Sequence, residues 1–88
     1  MSACRVMMRA VRLTHDAEAD AAYVYLVDEI DRGEVASSRV ADIPLDRAAL
    51  TVDFDANGRV LGIEVLGASR ILREETITAA ENITRRST

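Results

Sequence analysis

The sequence predicts an α+β fold: an antiparallel β-meander of four or five strands with short helical segments, the main one C-terminal to the last strand. Three observations carry this. Ala22 to Val27 reads Ala-Tyr-Val-Tyr-Leu-Val, a β-branched and aromatic run that is apolar on both faces. Leu50 to Phe54 and Leu61 to Val65 alternate apolar with polar or small residues, and Asp55-Ala56-Asn57-Gly58 between them is a hairpin turn signal. After Gly67 the apolar period of two gives way to a helical one.

The elements follow in chain order. Val6 to Leu13 reads as a first strand, with Val11 and Leu13 alternating against Arg12. Asp16 caps a short helical turn over Asp16 to Asp20, where acidic residues suit the N-terminal end. The strand from Ala22 is apolar on both sides, so it is central or covered by a partner. Asp28 to Gly33 is turn-like. Val35 to Ile43 is a weaker strand whose Ser37, Ser38 and Arg39 suit a sheet edge, and Pro44 ends it.

In the hairpin, Leu50, Val52 and Phe54 share one face with Leu61, Ile63 and Val65; Thr51, Asp53, Gly62 and Glu64 share the other. That matching needs an even-length loop, whereas Asn-Gly in a three-residue bulged loop offsets the faces; a bulge near Gly58 or Gly62 fits the sequence, and the register stays open. Ser69 caps a helix through Ile71, Leu72 and Glu74. Thr78-Ala79-Ala80-Glu81 is a capping-box pattern that opens a second helical stretch with a narrow apolar face. The chain thus divides into an N-terminal extension (1–9), one α+β domain (10–74) and a C-terminal helical extension (75–88).

The 88 residues suffice for one modest core, burying roughly 60–65% of the surface the unfolded chain exposes. Apolar residues make up 49% and aromatic ones only 3%, so that core is aliphatic. Lys plus Arg is 11 against 15 Asp plus Glu, a net charge of −4, which disfavours nucleic acid because phosphate binding needs a basic surface. Every basic residue is Arg, which we read as the codon bias of a GC-rich bacterial genome. The single Cys4 makes no internal disulfide and fits a reducing cytoplasm. No apolar run is long enough for a signal peptide or a membrane span.

Two ordered blocks resemble a known family. Thr14-His15-Asp16-Ala17-Glu18-Ala19-Asp20-Ala21-Ala22-Tyr23-Val24-Tyr25-Leu26 is similar to the opening of the small prokaryotic domains of unknown function numbered 2283 in their series, and Val52 through Ser69 is similar to their hairpin and following helix start. The matching positions are Asp16, Glu18, Asp20, Tyr23, Asp53, Asp55, Gly58, Gly62 and Glu64. Ala17 stands where the family often has proline and His15 where it often has tyrosine. The resemblance spans Thr14 to Leu72. It implies a small antiparallel sheet with a helix, supplies no activity, and suggests an antitoxin-like, partner-binding role through its genomic company.

Among chemical motifs, Asp53-x-Asp55-x-Asn57-Gly58 followed by Glu64 fits the calcium-loop template of an EF-hand, whose oxygen ligands and turn glycine suit a hard cation. An EF-hand needs flanking helices, yet both flanks alternate as strands. The preferred reading is a hairpin in which Asp55 and Asn57 brace their own turn; calcium-type binding by Asp53, Asp55, Asn57 and Glu64 is the alternative. Asp16-x-Glu18-x-Asp20 reads as a solvated capping turn. His15, the only histidine, lacks the companions of a zinc site, and would need Ser37 or Ser38 nearby for nucleophilic chemistry. A small enzyme using clustered carboxylates requires a concave pocket holding at least two of Asp16, Asp53, Glu64 and His15. Tyr23, Tyr25, Val24 and Leu26 are interface candidates. The expectation is therefore a non-catalytic interaction module, a homodimer or a binder of a small protein partner, with no cofactor and no catalytic residue.

Overall fold

The computed structural model describes residues 11–84. They form an α+β unit with six strands, β1 (Arg12–Asp16), β2 (Ala21–Tyr25), β3 (Ser37–Ala41), β4 (Ala49–Phe54), β5 (Val60–Leu66) and β6 (Glu81–Asn82). Two short helices, α1 (Ala68–Ile71) and α2 (Glu74–Ala79), lie between β5 and β6. The strands make one sheet in the order β3-β4-β5-β2-β1-β6.

This corrects the expected meander in three respects. The sheet has six strands, and it is mixed, because β6 pairs parallel to β1 through Thr14 with Glu81 and His15 with Asn82. It is not a simple meander, since β2 pairs with β5 across the intervening hairpin. The helices precede the last strand. The capping-box pattern at Thr78 to Glu81 does not open a helix: Ala80 turns extended (φ −74°, ψ 156°) and closes α2, releasing Glu81 to pair with β1. A two-residue strand has no periodicity of its own, so only its partner defines it.

The segment after Asp16 is a turn rather than a helix. Asp16 Oδ1 accepts hydrogen bonds from the backbone N–H groups of Glu18 (3.0 Å) and Ala19 (3.2 Å), bracing the β1–β2 hairpin as an Asx turn does. Of the first expected strand, Val6 to Ala10 lies outside the described residues.

The β4–β5 hairpin settles the register. Leu50 pairs with Val65 and Val52 with Ile63, whereas Asp53 pairs with Gly62 and Phe54 with Val60. Leu61 is therefore the extra residue of a bulge. It tucks inward, 3% exposed, and its carbonyl accepts a hydrogen bond from the Leu26 N–H at 3.0 Å. The bulge absorbs the offset that the loop would otherwise impose, so the two apolar sets share a face. The core on that face comprises Ala22, Val65 and Ala68, against which Leu13, Leu50, Ile63, Ile71 and Leu72 pack. The central placement of β2 and the edge placement of β3 agree with their sequence patterns.

Ser69 does not act as the N-cap of α1. Gly67 holds that position in the left-handed region (φ 75°), without a side chain to offer. Asp20 supplies the acceptors instead. Its carbonyl takes the Gly67 and Ala68 N–H groups, its Oδ1 the Ser69 N–H (3.0 Å), and its Oδ2 the Ser69 hydroxyl (2.8 Å). The first hairpin thus caps the helix that closes the core. The Ser69 hydroxyl holds the Asp20 carboxyl below the ordinary carboxylate range, against an opposing effect of burial. Among the described residues, no helix is long and apolar enough to cross a membrane.

Candidate functional site

Period-two alternation sends Tyr23, Tyr25, Asp53, Gly62 and Glu64 to the face opposite the core, as the pairings Tyr23 with Glu64, Tyr25 with Gly62 and Asp53 with Gly62 require. The side chains there form a continuous path across the sheet. At the β3 end, the Ser38 hydroxyl donates to Asp53 Oδ1 at 2.6 Å. The Tyr23 hydroxyl donates to Asp53 Oδ2, also at 2.6 Å, reaching over β5. It can do so because position 62 is glycine: a Cβ there would strike the Tyr23 ring. The Tyr23 and Tyr25 rings meet edge to face at 4.7 Å. The Arg12 guanidinium stacks over Tyr25, 4.0 Å from its centroid, and lies 3.8 Å from Glu81 on β6. Every strand contributes a residue or, at Gly62, the space for one.

Both oxygens of Asp53 are occupied, and Tyr23 is half-buried. Burial first, and the bond to Asp53 second, push the Tyr23 hydroxyl well above the ordinary phenol range. In an absorbance titration of tyrosinate formation, we expect one tyrosine to resist ionisation far into alkali, and that late phase to vanish in Tyr23→Phe. The sign of the linkage follows. The unfolded phenol ionises near pH 10, so this stabilisation is complete below about pH 10 and is lost as pH rises toward the folded value. Two tyrosines ionising together near the ordinary value would refute the coupling.

The expected site residues separate into several groups. Asp55 Oδ1 accepts from the N–H groups of Asn57 and Arg59 (both 2.9 Å), and Gly58 adopts φ 80°, so the loop braces itself. Asp53 faces Tyr23 and Ser38 instead of that loop, and Glu64 lies opposite Thr51 on the sheet. Asp53 and Glu64 thus lie on the sheet face, while Asp55 turns into the loop it braces. Asp16 and Asp20 also part, one bracing its hairpin and the other capping α1. Among the described residues, no group of three or more histidine, cysteine, aspartate or glutamate side chains is placed to hold a metal ion.

His15 lies near Asp20 rather than pairing with Asp16; its Nε2 is buried, 3.8 Å from Asp20 Oδ1, with no hydrogen-bond partner. Ser37 and Ser38 are on β3, at the far side of the sheet from β1. A depression of about 190 Å³ does bring Asp16 and Glu64 together, with Thr14, Ala21, Tyr23 and Ile83 around them. Of the interface candidates, Tyr23 and Tyr25 belong to the polar path, Val24 pairs with Ile63 on the core side, and Leu26 is 36% exposed beyond the end of β2. Sequence reading missed Ser38, Arg12 and Glu81 as members of the path. Gly62 inside an alternating strand was the available signal, because such a glycine marks a close approach.

The described residues thus form a small single-sheet α+β domain, with α1 on the core side and a hydrogen-bonded tyrosine path on the other. Residues 12–69 match the family described as "Protein of unknown function (DUF2283)", which covers more than half of the chain. The chain belongs to that family. Comparison with curated proteins and with solved structures gives no match.

Proposed function

We propose that this domain is a non-catalytic protein–protein interaction module of the cytoplasm, which docks its partner along the open edge of β3. The observation that carries the reading is Val40. It lies on a terminal strand with four of five residues exposed, and is itself 72% exposed. A terminal strand presents unpaired N–H and C=O groups, and an added strand completes them while covering the exposed apolar side chain. The tyrosine path supports the same reading. It engages Tyr23, Asp53 and Ser38 with one another and stiffens the sheet up to β3, giving a rigid edge to dock against.

The test compares the full chain with Val40→Lys by light scattering and by affinity purification. Lys at an edge discourages strand addition, and substitution at an exposed site leaves stability within about 0.5 kcal/mol. Val40→Lys is expected to lose the association, with itself or with a co-purifying protein, while melting like the parent. An association that survives this substitution unchanged, or a parent chain that associates with nothing, would overturn the reading.

A further inference from the structure

We propose that the occupant of the β3 edge is a second copy of this chain, paired antiparallel about a two-fold axis that passes beside Val40. The inference rests on the proposal that β3 is the docking edge, and it names both partner and register.

The argument is one of complementarity. Two identical strands side by side and antiparallel are related by a two-fold axis normal to the sheet, which keeps each face on its own side. Residues directly opposite must share a face, so only registers that pair residues of equal parity are allowed. Five such registers centre on β3. Centring on Ser37 places Val40 opposite the partner's Glu34, and centring on Ser38 places it opposite only the partner's small Ala36. Centring on Arg39 sets two guanidinium groups against each other, a destabilising like-charge pair. Centring on Ala41 places Val40 opposite the partner's Asp42 and covers a valine with a carboxylate. Centring on Val40 sets the two valines against each other on one face. It also brings Ser38, its hydroxyl kept by Asp53, opposite the partner's Asp42, and Arg39 opposite the partner's Ala41, so no like charges meet directly.

The strand itself permits this approach. The chain carries a net charge of −4, yet Ser37 to Ala41 contains no carboxylate, so the strand itself sets no acidic group against a second acidic molecule. Val40 has the greatest exposure of any large apolar side chain among the described residues, 72% against 47% for Ile83. Pairing through Val40 joins two six-stranded sheets into one continuous sheet.

Disulfide trapping tests the register on the full chain in a Cys4→Ser background. Directly opposite residues have Cα atoms about 4.5–5.5 Å apart, within reach of a disulfide. Val40→Cys is therefore expected to link to itself under mild oxidation. Ser38→Cys alone is expected not to, because the two copies of residue 38 lie about 14 Å apart along the strands. Mixing Ser38→Cys with Asp42→Cys should give the mixed disulfide. Without oxidant, the parent should run at twice 9.6 kDa at micromolar concentration, and Val40→Lys should raise the dissociation constant at least tenfold. A double-mass species that links through Ser38→Cys but not Val40→Cys would overturn this register while leaving an edge-docking module in place. A monomer at millimolar concentration that binds another protein through β3 would overturn the self-pairing alone. A monomer with no partner would overturn both.

Discussion

Gly62→Val should be the most disruptive single substitution in the sheet, lowering stability by roughly 3 kcal/mol, the upper end of overpacking costs. For a chain of this size that corresponds to a fall in Tm of about 12–24 °C. The cause is geometric. A Cβ at position 62 would lie 2.6 Å from the Val24 carbonyl oxygen and 2.7 Å from the Tyr23 hydroxyl oxygen. The ring can swing away, but the carbonyl belongs to the neighbouring strand and can move only if the β2–β5 ladder moves with it. Displacing the ring also breaks the bond to Asp53, leaving a carboxylate oxygen without its donor. Urea denaturation measures the loss. A variant as stable as the parent would show that Tyr23 does not lie across β5.

Gly67→Ala should rank second, at about 2–3 kcal/mol. Two independent effects add. The residue sits at φ 75°, where a side chain costs about 1–2 kcal/mol. Its Cβ would come within 2.6 Å of the Arg47 carbonyl oxygen and 3.1 Å of the Ala48 Cα, both main-chain atoms. The Gly67 N–H also donates to the Asp20 carbonyl, so a shift there loosens the cap over α1. Thermal melting gives the magnitude, and amide exchange locates it: the Ala68 and Ser69 amides should exchange faster than those of β4. Equal acceleration across the sheet would argue against a local origin. Gly58 makes the contrast, for it too has positive φ, yet nothing lies within 4 Å of a Cβ built there.

The elements that were legible in the sequence are those whose partners lie nearby or whose pattern is long. The β4–β5 hairpin announced itself through alternation and Asn57-Gly58, the edge character of β3 through Ser37, Ser38 and Arg39, and the inner position of β2 through its double-sided apolar run. The bulge was foreseeable in kind, but its position at Leu61 is set by packing. What the sequence hid was action at a distance. Asp20 caps α1 from 47 positions before Gly67, so Ser69 looked like the cap when it is one of the donors. Glu81 and Asn82 read as helix because Thr78 and Glu81 have capping-box spacing, and only contact with β1 makes them a strand. The tyrosine path likewise joins residues from five strands, and no local window contains more than two of them.

The two lateral margins of the sheet are unequal. Along β3 four of five residues are exposed, whereas β1 is skirted by β6, a pairing only two residues long. Pairing through β3, as proposed, would use up the longer open rim among the described residues and leave outward only the two-residue β6 beside β1. In the proposed pair, edge-to-edge joining would therefore stop at two molecules instead of propagating as a fibril does.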